Sequence, residues 1–563
     1  MKRKLLSRLL VIGPVATLGI SPGASAADLI WDAGNLGGTG DGAGTYAGGT
    51  WSTTNANWDQ GAALPRLAWN NANLDNAVFT GTYSTGIKTV TIGSNVTVNQ
   101  IQILTGSTGG NRYDIGASNT QNDFAITFGG TYSDSLPAIT GNAGFANTNF
   151  NAKITGTING GLVLNHGSNG TNPASGRFAF TNANNDFVGD VILIGGNLGV
   201  GNNLGHSANK LVLKGGSLFA SGLGPSTFSR DIAVSSNSHV NFNATGTHIF
   251  DLTGAISGAA DLKRISAANA GGELRLSGNM AGFTGTIDQA GVGTMTIQTT
   301  ATSGGAWKLT SGTLKLNTAD DTHIGNGAGK SNLLMNGGTL DMNGRNETLN
   351  GLSGTTGTVQ NALAASVSTI TIGDGDATAD FGGVLRNNAG TGGTLALVKT
   401  GNGTQTLSGI NTYTGDTLVS AGTLLVNGQL GDTSVTVAGA ATIGGDGIIG
   451  GALHFDAGAK FAFDVNQTLT INGSGVTFDG FGVADLAGLD NLVPNNTYVL
   501  LDGTATVSTL NLANVGLANA YPLGGGKSAY FQPGSLNLVV IPEPAPLLLG
   551  VLGLCPLLRR RRA

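Results

Sequence analysis

Apolar residues in this chain fall in short runs that alternate with polar ones. Leu211-Val-Leu213, Thr294-Met-Thr-Ile297, Thr313-Leu-Lys-Leu316 and Thr423-Leu-Leu-Val426 are representative. A period of two places every second side chain on one face, as in a half-buried strand. A helix needs spacings of three and four sustained over ten or more residues, and the mature body offers no convincing case. Between the runs stand clusters of Gly, Asn and Asp. Gly supplies the positive φ of tight turns, and Asn and Asp tolerate it. The pattern predicts an all-β chain of many short strands.

The runs also repeat. Phe180-Thr-Asn-Ala-Asn-Asn-Asp-Phe-Val-Gly189 is followed by Gly196-Asn-Leu198. Leu276-Ser-Gly-Asn-Met-Ala-Gly-Phe-Thr-Gly285 is followed by Gly293-Thr-Met295, and Leu407-Ser-Gly-Ile-Asn-Thr-Tyr-Thr-Gly415 by Gly422-Thr-Leu424. Each has an aromatic residue two positions before a Gly, then a strand reopened by Gly-x-apolar. A second motif interleaves: Leu211-Val-Leu-Lys-Gly-Gly-Ser-Leu218 matches Leu333-Leu-Met-Asn-Gly-Gly-Thr-Leu340. Units of about 20–25 residues cannot bury a face alone and must stack on their neighbours. The expected fold is a right-handed parallel β-helix (β-solenoid), with rungs ~4.8 Å apart and a rod on the order of 70–100 Å long.

Lys399-Thr-Gly-Asn-Gly-Thr-Gln-Thr-Leu-Ser-Gly-Ile-Asn-Thr-Tyr-Thr-Gly-Asp-Thr-Leu-Val-Ser-Ala-Gly-Thr-Leu-Leu-Val-Asn-Gly428 resembles the autotransporter-associated β-strand repeat. So does Gly444-Gly-Asp-Gly-Ile-Ile-Gly-Gly451. The resemblance is strong over 395–455 and degenerate over 150–350. It implies the β-helical architecture of autotransporter passengers, and it names no activity. The chain departs from true autotransporters after about Val465. Tyr498-Val-Leu-Leu501 and Leu536-Asn-Leu-Val-Val540 are too few strands for a translocator barrel, so self-translocation is not expected.

The two ends read as addresses. Residues 1–26 have a basic start, an apolar stretch from Leu9 to Ile20, and Ala24-Ser-Ala26 ahead of Ala27, the order of a secretory signal read by Sec-type machinery. Residues 542–563 hold Pro542-Glu543-Pro544, an apolar segment from Ala545 to Leu558, and Arg559, Arg560, Arg561 and Arg562. This order resembles the PEP-CTERM sorting signal of exopolysaccharide-producing Gram-negative bacteria. The resemblance implies transient inner-membrane anchoring, cutting by an exosortase-type membrane protease, and release to the surface or matrix. Between the ends, 27–135 is expected to form a Trp-containing N-terminal β cap and first rungs, 136–470 the solenoid, and 471–541 a short β-rich segment.

Composition narrows the function. Of 563 residues 95 are Gly without a Gly-X-Y period, which excludes collagen. The net charge is −5, and the eight basic residues in the two ends mask a more acidic body. That argues against nucleic acid, whose phosphates need Lys and Arg. A single cysteine, Cys555 in the tail, leaves the body no disulfide and no thiolate metal site.

Candidate chemistry is sparse. Asp320 and Asp321 lie near His323, and Asp374, Asp376 and Asp380 form a second group, both in turn contexts that favour Asp. The six histidines show no metal spacing, and Gly373-Asp-Gly-Asp376 lacks the nonapeptide iteration of calcium-binding turns. No catalytic residue, cofactor or metal is expected. Trp51 and Trp58 are read first as cap core, and second as a sugar-stacking platform. The functional expectation is a secreted or cell-surface structural or adhesive solenoid that contacts exopolysaccharide or other surface proteins. The alternative is a polysaccharide-binding or polysaccharide-degrading β-helix, which requires a groove where Asp, Lys, Arg or His from successive rungs converge.

Overall fold

A computed structural model describes residues 26–543 except 35–42, 46, 81–85, 105–111, 119–122, 130–135, 142–146, 168–176, 200–202, 221–224, 243–247, 267–270, 301–302, 320–322, 389 and 391. The described chain is a stack of short parallel strands. Its helical content is three 3-10 turns, at Val483–Asp485, Leu489–Asn491 and Leu517–Asn519. Among the described residues no helix is long and apolar enough to cross a membrane.

One ladder runs through Asp28–Trp31, Asn76–Phe79, Gln100–Ile103, Ala138–Gly141, Leu162–Asn165, Val191–Gly195, Leu211–Lys214, Ile232–Ser236 and Ile256–Gly258. Register aligns one inward side chain per coil. Leu29, Ala77, Ile101, Ile139, Leu164, Leu193, Leu213 and Val234 form a single buried column. A second ladder joins Glu347–Leu349, Val367–Ile372, Thr394–Lys399, Thr417–Val419, Val435–Val437, Leu453–Phe455, Gly475–Phe478 and Thr506–Val507. The coils between are linked through Leu262, Ile287, Trp307, Leu333 and Leu352, also in register. A one-residue slip would turn every inward side chain outward, so burial fixes the register. Each Leu or Ile in such a column contributes about 1.5–3 kcal/mol.

The repeated motif is explained by its packing. Phe187, Phe283 and Tyr413, the aromatics two before the Gly, are all fully buried. A Cβ on Gly189, Gly285 or Gly415 would sit 2.5, 2.1 or 2.4 Å from a carbonyl oxygen of the preceding coil. Only Gly allows that approach. Two residues before the aromatic, Asn185 and Asn411 bridge three coils. Asn185 accepts from Ile154 N–H at 2.8 Å and donates to Asn203 O at 3.0 Å. Asn411 accepts from Leu385 N–H at 2.8 Å and donates to Gln429 O at 3.0 Å. The middle repeat has Ala281 at this position and lacks the bridge.

The N-terminal tryptophans make one aromatic cluster. Trp58 lies 5.1 Å from Trp31, 5.2 Å from Trp51 and 4.9 Å from Trp69 between ring centroids, with Phe79 at 5.7 Å. Trp51 and Trp58 are 0% exposed. The sugar-platform expectation for Trp51 and Trp58 therefore fails, because a stacking platform needs an open ring face. Beneath the cluster, Arg66 and Asp32 form a buried ion pair. Parallel rungs start at Asp28–Trp31, at the beginning of the segment expected to hold the cap and first rungs.

The parallel ladders also run past the expected boundary at 470. Leu469–Ile471 pairs with Leu501–Asp502, and Gly475–Phe478 with Thr506–Val507. Leu469, Ile471, Val476 and Phe478 keep the inward alternation without the Gly-x-apolar restart that marks earlier coils. A four-stranded antiparallel sheet, Thr497–Tyr498, Tyr521–Gly524, Lys527–Phe531 and Leu538–Pro542, follows. Its Phe531 ring stacks on Phe481 at 6.2 Å.

Ala26 and Ala27 are described, and the Ala27 N–H donates to Asp75 Oδ1 at 3.1 Å. Pro542 ends the last strand, and the Glu543 N–H donates to Gly526 O at 2.7 Å. Ala24, Pro544 and Arg559 to Arg562 lie outside the described residues.

Candidate ligand groove on the outer face

Strand alternation sends the partners of each buried column outward. In register on one face stand the buried Ser217 and then His239, Lys263, Asp288, Lys308 and Leu334, one from each successive coil. The last five line a groove of about 550 Å³, bordered by Asn237, Asp261, Thr286 and Asn332. Successive rungs are ~4.8 Å apart, so Lys263 and Lys308 stand about 10 Å from each other with a carboxylate between them.

Asp288 is the pivot. Its Oδ2 lies 3.8 Å from Lys263 Nζ and 3.7 Å from Lys308 Nζ, and its Oδ1 accepts the Thr310 hydroxyl at 2.8 Å. The carboxylate is buried, and the side chains of the two lysines reach solvent. His239 is held below the usual imidazole range by burial and by the Lys263 charge, so it stands neutral beside them. Asp261 turns its Oδ1 to the backbone N–H of Thr286 at 2.9 Å, and Asn237 does the same for Asp261 at 3.0 Å. These two rim residues lace one coil to the next.

The groove mixes donors and acceptors with little net charge. Hydroxyl groups both donate and accept, and such a lining suits them. Glycoside hydrolysis needs a protonated acid facing a second carboxylate. Asp288 instead lies between two lysines, and Asp261 accepts from the backbone of the next coil.

Other sequence candidates resolve into structure. Asp320 and Asp321 lie outside the described residues. His323 pairs instead with Glu347, Nδ1 to Oε2 at 2.7 Å, with both side chains fully buried. The backbone N–H of Ile324 donates to Glu347 Oε1 at 2.7 Å, and that of Thr318 to His323 Nε2 at 3.2 Å. Burial pushes Glu347 up to about 7. Asp376 accepts the Asn402 N–H at 2.6 Å from a positive-φ turn, and Asp380 accepts the Ser408 hydroxyl. Sequence reading missed the groove because its members are 20–26 residues apart. The signal was present as a polar residue recurring at the rung period.

Residues 397–426 match the passenger-associated-transport-repeat family. Over 495 residues the chain is 29% identical to the adhesin BmaC autotransporter of Brucella suis biovar 1 (strain 1330). That alignment covers 83% of this chain and 13% of that protein, so the chain spans a small part of its relative's length. No solved structure matches it. The chain is thus a parallel β-solenoid that carries a match to this repeat family at 397–426, on the coils built from Thr394–Lys399, Thr404–Leu407, Thr417–Val419 and Thr423–Val426.

Proposed function

We propose that this chain is an exported, non-enzymatic surface protein that acts as an adhesive or structural rod. The observation that carries the reading is the in-register parallel solenoid, together with its similarity to an adhesin autotransporter. Its outer ladders present Thr, Asn and Ser to the surroundings, as at Thr348, Thr371 and Thr436. The N-terminal signal would deliver it through Sec-type machinery. The Pro542-Glu543-Pro544 tail and arginine cluster would hold it briefly in the inner membrane until an exosortase-type protease releases it. Fractionation with intact-mass analysis tests this. The expected product begins near Ala27, ends near Pro542 and is found outside the inner membrane. A full tail retained in the membrane fraction would contradict the sorting step.

A second reading is favoured by the groove. The column His239, Lys263, Asp288 and Lys308 fits the hydroxyls of a glycan chain lying along the rod axis. Replacing Lys263 and Lys308 together by Ala should lower retention on exopolysaccharide several-fold in a chain that still melts cooperatively, at some cost in stability because the buried Asp288 loses both cations. Unchanged retention would remove the groove from the account.

A further inference from the structure

We propose that His454, Asp456 and Asp479 form a divalent-cation site that staples two successive coils near the C-terminal end of the solenoid. The three side chains each offer one ligand atom, and these atoms lie within 4.8 Å of one another. His454 Nε2 is 3.3 Å from Asp456 Oδ1 and 3.5 Å from Asp479 Oδ2. Ligands held ~2.1 Å from a tetrahedral zinc ion lie about 3.4 Å apart, so both distances fit the edges of such a site.

The fold sets this geometry. His454 points outward from Leu453–Phe455, with Thr477 directly above it on the next strand. Asp456 and Asp479 are the first residues after paired strands. Their N–H groups bond Val437 O and Phe455 O, so they occupy the same corner one coil apart. The corresponding corner on the three preceding coils holds Thr400, Ser420 and Ala438. Backbone pairing keeps the two carboxylates about one rung, ~4.8 Å, apart. Like charges there repel unless something positive sits between them.

The imidazole is oriented for the task. Its Nδ1 meets the Thr477 hydroxyl at 2.8 Å. A neutral ring that donates Nδ1–H to that oxygen turns the Nε2 lone pair toward both carboxylates. Three electron-pair donors then converge on one point, and a cation satisfies all three. A partner on the second ring nitrogen is the usual support of a metal-bound histidine. One nitrogen and two oxygens suit a borderline ion such as Zn²⁺ better than Ca²⁺, which takes six to eight oxygens. The exposed corner leaves room for water in the fourth position.

The test is calorimetric titration of the full chain, without a polyhistidine tag and stripped with chelator, using ZnCl₂ and separately CaCl₂. One zinc per chain is expected, with at least tenfold weaker binding in His454→Gln and in Asp479→Asn and no matching calcium signal. Zinc should raise the melting temperature of the parent and not of the variants, which should melt like the parent without metal. Zinc binding that is absent, or kept within twofold in both variants, overturns the site. Calcium binding as tight as zinc overturns the choice of ion. If either variant melts early, Asp456→Asn supplies the same comparison.

Discussion

Lys399 stands where its column calls for an aliphatic side chain. Ile372 lies below it and Val419 above, and it is fully buried. Its ammonium is accommodated by three carbonyls, Thr400 O at 2.6 Å, Gly401 O at 2.9 Å and Ala421 O at 3.2 Å. Burial pushes the group down to about 8, against a weaker pull from Asp376. Between pH 8 and the ordinary lysine value near 10.5 the unfolded chain therefore binds more protons than the folded one. Stability should rise with pH across that window, by at most about 1.4 kcal/mol per unit. Urea melts at pH 7.5, 8.5 and 9.5 check this, with Lys399→Met as the control that removes the slope. A flat or falling profile in the parent would contradict the burial. Arg264 follows the same logic, its guanidinium on Val292 O and Gly272 O and over the Phe242 ring. At Trp58 the expected cost of Trp58→Ala is about 3–5 kcal/mol, measured by denaturant melting, because the cavity lies inside the aromatic cluster. The alternation made the apolar columns legible in the sequence. It did not reveal Lys399 or Arg264, since a cation at an inward position reads as a solvated one until carbonyls from neighbouring turns are seen to meet it.

At the scale of the strand and turn, the repeat is a device for bringing backbones together. A Cβ on Gly278 would lie 1.8 Å from Gly254 O of the coil before it. Gly278→Ala must push the two coils apart and should cost more than about 2 kcal/mol, above the ordinary penalty for a point change. Gly329→Ala is the contrast: nothing lies within 4 Å and only its φ of +79° resists, so about 1 kcal/mol is expected. Equal costs at the two sites, read from urea melts, would argue against close coil packing. Asn411→Ala should lose about 1–3 kcal/mol by leaving the buried Leu385 N–H without its acceptor. The aromatic-x-Gly pattern announced these turns in the sequence, but the role of Asn411 did not show, because its partners lie 26 and 18 residues away. The same distance hid Asp479 from His454. A histidine followed two residues later by Asp, with a second Asp one coil on, carries no contiguous metal motif.

Over the whole molecule, each coil depends on the next. The nine strands of the first ladder and the eight of the second are joined by coils that carry the bridge from Gly258 to Phe283. Among the described residues about twenty coils at ~4.8 Å give a rod of roughly 90–100 Å. The ends need cover, because an open rung presents unpaired backbone and apolar side chains. The antiparallel sheet of 497–542 supplies that cover at one end through Phe531. Deleting 515–543, which removes Phe531 and three strands of the sheet but spares the coil that ends at 507, should therefore yield a chain that self-associates in size-exclusion chromatography, while a monodisperse product would deny the sheet its capping role. The rod was legible from repeat length alone, whereas its extension to 507 was not, since the last coils lack the glycine signature. The most direct test is small-angle X-ray scattering of the purified chain. An elongated particle with a longest dimension near 100 Å is expected. A compact globule of this length, with a radius of gyration of about 24 Å and a diameter near 60 Å, would contradict it.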